Sequence, residues 1–187
     1  MWLDAVYLKA RQNHRVLSQE VVIAMGVRKT GEREVLGFAV GASEEEGFWL
    51  EFLRGLVRRG LRGVQLVISG AHEGLKGAIA KALPGTTWLR CRVHLMRNIL
   101  PHVPEGDKAL VAAAIRTVFA QPDREAASQQ LGEVVEAMWP RWPKAAQVLE
   151  EAEEDALAYM AFAREHWTRI YSTNPLERMN QEDRAPH

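Results

Sequence analysis

The chain has 187 residues, of which 47% are hydrophobic and 26% charged, and its 24 Lys and Arg residues balance its 24 Asp and Glu residues. This composition is ordinary for a globular protein and excludes a wholly disordered, collagen-like or low-complexity chain. The zero net charge excludes a globally basic nucleic-acid-binding protein. The single cysteine, Cys91, excludes a disulfide framework and favours a cytoplasmic setting. No apolar run approaches the roughly 20 residues of a membrane span, so no membrane partner is predicted.

The first forty residues show the pattern of β-strands. Residues 2–9 alternate in polarity, and residues 21–27 form a dense β-branched run. A turn at 29–32 leads into a third strand at 35–40, in which Gly37 is suited to a bulge. Three strands joined by short turns predict an antiparallel meander.

The pattern then changes to alternating helices and strands. Ser43 and Glu46 have the spacing of a capping box, which predicts that a helix begins at Ser43. A short apolar strand is predicted at 64–68, a helix at 72–83 and a further strand at 86–93. The order β-β-β-α-β-α-β is that of a ribonuclease H-like mixed sheet, so we predict an α/β fold of this kind.

Everything from 94 to 167 reads as helix, with breaks at 101–104, 121–123 and 139–143. Two apolar stripes within this block are predicted to face a core. They are Ala112, Ile115, Val118 and Phe119, and Leu131, Val134, Val135 and Met138. The chain therefore carries an all-helical block after the sheet.

Asp4 is the first candidate for chemistry. It lies within the first predicted strand, on the face that carries Trp2, Val6 and Leu8. A carboxylate among apolar neighbours is costly to bury unless it is paired or binds a metal ion. Two interpretations stay open, a metal ligand or an edge position at which the carboxylate reaches water.

The segment after the strand at 64–68 is the second candidate, because ligands bind outside the carboxyl ends of parallel strands. Gly70 stands there and offers only backbone groups, and His72 and Glu73 follow it. Both side chains are equally suited to the first turn of a helix. On these residues alone, a plain strand-to-helix turn is favoured.

A C-x-x-H pair, Cys91 and His94, stands among three arginines, Arg90, Arg92 and Arg97. A structural zinc site needs four ligands, and a single cysteine argues against one. The remaining interpretations are a strand end whose cationic groups face a polyanion and a plainly solvated surface.

Residues 174–180 have the pattern of a helix start. Asn174 is a good N-cap, Pro175 suits the first helical position, and Glu177 falls where a capping-box carboxylate belongs. Glu177 is also placed to bind metal if this helix start faces the sheet. From these residues alone, the capping interpretation is favoured.

Taken together, five segments resemble those of Mutator-type bacterial insertion-sequence transposases. In chain order they are residues 2–9, 37–41 with 44–52, 67–76, 90–94 and 172–178. The first resembles the first catalytic strand of the family, and the third its second catalytic segment. The fourth matches its C-x-x-H signature, and the last resembles the segment of its third carboxylate. The segments cover nearly the whole chain in the family's order.

The resemblance implies a DDE transposase, in which two Asp and one Glu hold divalent metal on a ribonuclease H-like sheet. In this chain it implies that Asp4 is the first catalytic and metal-binding residue and Glu177 the third, with Mg²⁺ or Mn²⁺ as cofactor. It implies cleavage and transfer of DNA strands at transposon ends. Self-association, or association with an intact transposase, is also expected. From charge and position we add candidates for contacts with DNA phosphate: Arg90, Arg92, His94, Arg97 and Arg178.

The chain departs from the family pattern in three places. Gly70 stands at the position of the middle Asp, which puts metal binding in doubt, and Glu73 is a poor substitute because it lies about one helical turn further on. We also expect that the family's helical DNA-binding region before Asp4 is missing and that the chain departs from the family pattern after 180. We therefore expect a truncated, inactive copy of a transposase.

The resemblance also suggests how the chain is organised. The expected segments are 1–94, the first part of a ribonuclease H-like core, 95–168, a helical insertion, and 169–187, the truncated end of the core with Glu177. The alternative function is a non-catalytic protein that binds DNA or an intact transposase and regulates it. A stand-alone ribonuclease H-like nuclease is disfavoured by Gly70.

Overall fold

The computed structural model describes residues 1–12, 15–41 and 45–170. Strands and helices follow one another in the predicted order. The strands are β1 (Trp2–Gln12), β2 (Arg15–Val27), β3 (Arg33–Val40), β4 (Leu66–Ser69) and β5 (Thr87–Arg90). The helices are α1 (Glu46–Arg58), α2 (Glu73–Ala82), α3 (Arg92–Ile99), α4 (Lys108–Phe119), α5 (Arg124–Met138), α6 (Pro143–Glu151), α7 (Glu153–Ala156) and α8 (Trp167–Ile170). None of the helices in these ranges is long and apolar enough to cross a membrane.

The strands form one mixed sheet in the order β3-β2-β1-β4-β5. β1 pairs antiparallel with β2, and β2 pairs antiparallel with β3, which confirms the predicted meander. β1 pairs in parallel with β4, so β1 occupies the centre of the sheet. The fold is therefore mixed α/β, as predicted.

The β2–β3 pairing contains a bulge next to Gly37. Ala24 is opposite Gly37, but Met25 is opposite Val35, so Leu36 is the extra residue. A side chain at Gly37 would approach α1 closely, because its Cβ would lie 3.1 Å from Cδ2 of Leu56. The absence of a side chain at Gly37 thus allows α1 to pack on β3, and the predicted irregularity is confirmed.

Helices α1 and α2 cover one face of the sheet. Their buried positions recur every three or four residues, as amphipathic helices require. The buried core comprises Leu3, Val22, Ala24 and Val67 of the sheet, Trp49, Leu53 and Leu56 of α1, and Leu75, Ala78, Ile79 and Leu83 of α2 and its C-terminal end. The sequence pattern of the predicted helix at 72–83 places Leu75, Ile79 and Leu83 inward, and all three are in this set. Because side chains alternate along a strand, Asp4 lies on the other face of the sheet.

The predicted start of α1 is wrong. The helix begins at Glu46, with Glu45 at the N-cap position and no side-chain cap bond, so Glu46 is the first helical residue and not the third. Ser43, the predicted cap, lies outside the described residues. The Glu46 carboxylate forms an ion pair with Lys81 of α2. The Glu46 carboxylate therefore links α1 to α2, and the capping-box spacing in the sequence did not predict this contact.

The predicted end of β5 is also wrong. The strand stops at Arg90 and α3 begins at Arg92, whereas the sequence predicted a strand as far as 93. Cys91, Leu95 and Ile99 are each 0% exposed, so a buried stripe with a spacing of four residues starts at Cys91. Helical packing from Cys91 onward therefore overrides the apolar run at the strand end.

Contacts divide the chain into two compact units, with the division inside β5. Of the described residues, Met1–Trp88 form the first unit, and Leu89 begins the second. The second unit is helical from Arg92 onward, and the three predicted breaks are confirmed. The prediction of helix up to 167 is wrong after α7, because only short 3-10 turns, Ala158–Ala161 and Arg164–His166, lie between α7 and α8. Its buried stripes include Ala112, Ile115 and Val118 of α4 and Leu131, Val134, Val135 and Met138 of α5, while Phe119 is half-buried. The predicted segments 1–94, 95–168 and 169–187 stay a prediction.

Candidate functional site

Asp4 lies near the middle of the sheet. Its side chain is half-buried, and its Oδ1 accepts a hydrogen bond of 3.0 Å from the backbone N–H of Ala5. Its partner across the β1–β2 pairing is Ile23. The carboxylate therefore stands among apolar strand neighbours, on the sheet face opposite α1 and α2.

The register of the parallel pair relates Asp4 to Gly70. Trp2 of β1 is paired with Ile68 of β4. Gly70 follows the last residue of β4, and continuing this register by two residues would place it beside Asp4 at the ordinary spacing of neighbouring strands, about 4.8 Å. Residues in the same register of a parallel pair direct their side chains to the same face. Position 70 is thus the place from which a second carboxylate would meet that of Asp4, and glycine supplies none.

Side chains of the first unit hold the chain at Gly70 in place. Nε1–H of Trp88 donates a hydrogen bond of 2.8 Å to Oγ of Ser69, which in turn donates one of 2.9 Å to the carbonyl of Gly70. Ser69 is buried, and the ammonium of Lys76 lies 5.1 Å from the ring centroid of Trp88. Sequence reasoning missed this network, because a serine at a strand end and a tryptophan in another strand carry no specific signal.

His72 and Glu73 take structural positions at the start of α2. Nδ1 of His72 accepts a hydrogen bond of 3.1 Å from the backbone N–H of Leu75, so His72 is the N-cap of the helix. Glu73 is exposed as the first helical residue. The strand-to-helix turn that the sequence favoured is therefore what the structure contains.

Glu177 and Arg178 lie outside the described residues, so their position relative to Asp4 stays a prediction. Asp4 is accordingly the one member of the predicted metal-binding pair within the described ranges. Among residues 1–12, 15–41 and 45–170, no group of three or more His, Cys, Asp or Glu side chains is placed to hold a metal ion.

The cationic residues around the C-x-x-H pair occupy different surroundings in the second unit. The guanidinium of Arg92, the first residue of α3, lies 4.8 Å from the ring centroid of Phe119, a cation–π contact. His94 is half-buried on α3, and Cys91 is fully buried at its N-cap. Arg97 is exposed near the end of the helix. Among the described residues, Cys91 and His94 do not belong to any group of three or more side chains that could bind zinc.

Arg90 and Arg97 line one cavity of about 420 Å³, which we call the Arg90–Arg97 cavity. Its other lining residues are Asn98, Pro101, His102, Val148 and Glu151. The structure thus brings together two of the predicted phosphate contacts and adds a third cationic candidate, His102. Sequence reasoning did not include His102, because it follows a proline at a helix break and reads there as part of a turn.

Known proteins with similar sequences identify the family. The family model described as "Transposase, Mutator family" matches residues 1–186. The transposase for insertion sequence element IS1081 of Mycobacterium tuberculosis is 41% identical over 181 residues, which are 97% of this chain and 44% of that protein. The transposase for insertion sequence element IS256 in transposon Tn4001 of Staphylococcus aureus is 38% identical over 185 residues, 97% of this chain and 47% of that protein.

A third relative extends the same match. The transposase for insertion sequence element IS406 of Burkholderia multivorans is 40% identical over 184 residues, 97% of this chain and 47% of that protein. The chain therefore spans slightly less than half the length of these curated relatives. Because the family model covers nearly every residue, the chain belongs to the Mutator family of transposases.

Proposed function

We propose that this chain carries the catalytic region of an insertion-sequence transposase in a form that does not cleave or transfer DNA strands. The observation that carries the proposal is the pairing of Trp2 with Ile68, because the same register continued by two residues leads from Asp4 to Gly70. In the family resemblance this position belongs to the middle Asp. Family membership supports the transposase part of the proposal, and the glycine supports the loss of activity.

The proposed fold is ribonuclease H-like, with 95–168 as a helical insertion. Three antiparallel strands followed by a parallel partner for β1 support this assignment. So does the helical second unit, which follows the sheet in the chain. In this proposal Asp4 lies on the central strand, and 169–187 brings Glu177 to it.

The donor set does not fit a two-ion site. Two-metal catalysis needs carboxylate oxygens that hold both ions, and Mg²⁺ or Mn²⁺ prefers such ligands. Asp4 and, in the proposal, Glu177 supply two carboxylates, but position 70 supplies no side chain between them. Loss of a supporting partner alone typically costs roughly 10–100-fold in metal affinity. The carboxylates of this chain are therefore too few to hold two metal ions in the proposed site.

A strand-cleavage assay tests the proposal. The intact chain is incubated with labelled DNA that carries transposon ends, with Mg²⁺ or Mn²⁺, and nicked and joined products are resolved on a denaturing gel. We expect no product above that of the Asp4→Ala variant. Nicking or joining that Asp4→Ala abolishes would show that the site works without the middle Asp, and the proposal would fail.

A second candidate function, regulation of an intact transposase by binding to it, is favoured by the sheet face that carries Asp4. Phe38, Val40 and Val35 of β3 are 72%, 54% and 52% exposed. Phe38 is paired with Ile23, the register partner of Asp4, so these side chains continue the apolar surface of that face. Exposed apolar patches of this kind mark sites of protein association.

Co-purification with a tagged full-length Mutator-family transposase tests this second function. We expect the unmodified chain to be retained and Phe38→Ser to reduce retention. Leu110→Ser is the matched control, because Leu110 is 58% exposed and belongs to the second unit, whereas β3 belongs to the first. Equal retention of all three chains, or of none, would refute association through this face.

A further inference from the structure

A groove of about 380 Å³ lies between α4 and α5 in the second unit, and we call it the α4–α5 groove. Most of the side chains that line it are apolar, and Val111, Val134, Met138 and Trp142 among them are buried. Leu110 also lines the groove but is 58% exposed. The groove therefore presents apolar surface to solvent, as surfaces that bind another protein do.

Two polar contacts between the helices hold the groove in shape. Nε2 of Gln130 on α5 donates a hydrogen bond of 2.9 Å to Oγ1 of Thr117 on α4. Nη2 of Arg141, just after α5, donates one of 3.2 Å to Oδ2 of Asp107, just before α4. The Arg141 guanidinium also lies 4.3 Å from the ring centroid of Trp142. Because these contacts already order the lining side chains, docking of a partner requires little reorganisation.

Three exposed residues along α5 give the groove a distinctive charge pattern. Glu133, Ala137 and Arg141 follow one another at intervals of four residues, and all three line the groove. An α-helix rises 1.5 Å per residue, so Glu133 lies about 6 Å from Ala137, and Arg141 lies a similar distance beyond it. The pattern is thus acidic, small and basic, and its charge changes sign at Ala137.

This pattern is complementary to itself. A two-fold axis that passes through Ala137 at right angles to α5 exchanges the two ends of the pattern. Each Glu133 then faces the partner's Arg141, and the small side chain of Ala137 lets the two helices approach each other at the axis. The charge pattern therefore favours a second copy of this chain as the occupant of the groove.

Both charged groups have partners within the chain. Arg141 holds Asp107, and Oε1 of Glu133 accepts a hydrogen bond of 3.2 Å from Nε2 of Gln129. A guanidinium has five N–H donors, so Arg141 can bind a second carboxylate without releasing the first. Exposed ion pairs mainly set the orientation of two proteins, whereas burial of apolar side chains such as Leu110 supplies most of the affinity.

We propose that the α4–α5 groove is an interface through which two copies of this chain associate, with α5 antiparallel to its counterpart across a two-fold axis at Ala137. Glu133 of each copy pairs with the partner's Arg141, and the apolar lining is removed from solvent. The inference goes beyond the proposed function, because it depends on the charge pattern of α5 and involves neither the sheet centre nor β3.

Sedimentation equilibrium of the intact chain, over about 5 to 500 µM, tests the proposal. We expect the mean mass to rise with concentration from that of one chain towards that of two. Ala137→Lys should raise the dissociation constant at least roughly tenfold, because like charges then meet at the axis. Ala113→Lys is the matched control, since Ala113 is exposed on α4 and does not line the groove. Its dissociation constant should stay within about twofold of that of the unmodified chain.

A charge exchange between copies tests the predicted pairing. Glu133→Arg and Arg141→Glu should each weaken self-association, because either change puts like charges in both pairs of the dimer. An equimolar mixture of the two variants should associate again, because opposite charges then face each other in both pairs. Glu136→Arg replaces Glu133→Arg in the control mixture, which should not associate, since Glu136 is exposed on α5 outside the groove. Circular dichroism checks that each variant is folded, and the Ala137→Lys result stands alone if Arg141→Glu does not fold.

Three results would overturn the proposal. One is a mass that stays at that of a single chain over the whole concentration range. Another is equal weakening by Ala137→Lys and Ala113→Lys, or weakening by Phe38→Ser instead, which would place the contact on β3. The third is a single-chain mass together with loss of retention by a tagged full-length transposase in Ala137→Lys, which would assign the groove to that protein. None of these measurements involves strand cleavage, so the outcome is separate from that of the proposed function.

Discussion

Asp4 and position 70 become neighbours when the Trp2–Ile68 register of β1 and β4 is continued by two residues, and the chemistry of the sheet centre depends on what each of them supplies. Asp4 supplies a half-buried carboxylate, and Gly70 supplies none. The sequence alone indicated both positions as candidates for chemistry, because an Asp inside a strand is costly to bury and ligands bind after the end of a buried parallel strand. It did not predict the hydrogen bonds from Trp88 to Ser69 and from Ser69 to the Gly70 carbonyl. Trp88 and Ser69 are 19 residues apart, and neither residue type is specific to such a contact.

The N-cap role of His72 leads to a prediction about stability. Replacing His72 by Ala removes the acceptor for the Leu75 N–H, so we expect the free energy of unfolding to fall by about 1 kcal/mol. His72→Asn should restore most of the loss, because asparagine is a good N-cap. Urea denaturation followed by circular dichroism measures both. An unchanged midpoint for His72→Ala would contradict the capping role.

The N-terminal ammonium makes stability depend on pH. It donates a hydrogen bond of 2.8 Å to the Leu66 carbonyl, and burial lowers the pKa of the Met1 ammonium from its ordinary value of 8.0 to about 6. The unfolded chain therefore binds more protons between these values, and stability should rise as the pH increases from 6 to 8, by at most about 2 kcal/mol. Denaturation at both pH values, with an Nα-acetylated chain as control, measures the effect. The same rise in the acetylated chain would rule out the amine as its source.

At the scale of elements, the contact between α1 and α2 depends on small residues. A Cβ at Gly74 would lie 2.9 Å from the backbone nitrogen of Glu46, and one at Gly77 would lie 2.7 Å from its carboxylate. The N-terminal end of α1 thus approaches α2 where glycines leave room, and the Glu46–Lys81 ion pair forms beside it. The sequence patterns predicted both helices but not the contact between them. The periodicity of a helix indicates which of its faces is buried, but it does not indicate which other helix packs there.

Two helical glycines should respond in opposite directions to substitution by alanine. Gly74→Ala meets backbone that cannot move cheaply, so we expect it to lower the free energy of unfolding by roughly 1–3 kcal/mol. Gly132→Ala on α5 meets nothing within 4 Å and should raise it by about 0.5–1 kcal/mol through helix propensity. Thermal denaturation of the two variants and of the unmodified chain measures both changes in stability. Stabilisation of both would show that α1 and α2 do not pack closely at Gly74.

Over the whole molecule, the sequence predicted the order of strands and helices and most of the buried stripes. The element order and the buried stripes follow from hydrophobic periodicity and from turn residues, and both signals involve only residues close together in the sequence. The wrong boundaries, at Glu46 and after Arg90, occur where packing between distant elements overrides a local pattern. The Arg90–Arg97 cavity was not predicted as a unit, because His102 and Glu151 join it from segments up to about fifty residues apart.

We propose that this Mutator-family chain lacks a working metal site because position 70 has no carboxylate. The most direct test is the affinity for Mn²⁺, measured by electron paramagnetic resonance on the unmodified chain and on Gly70→Asp, with Gly70→Asn as the uncharged control of the same size. We predict that Gly70→Asp binds Mn²⁺ at least roughly tenfold more tightly than either, and that adding Asp4→Ala removes the gain. Equal affinity of the unmodified chain and Gly70→Asp, with both folded by circular dichroism, would contradict the claim.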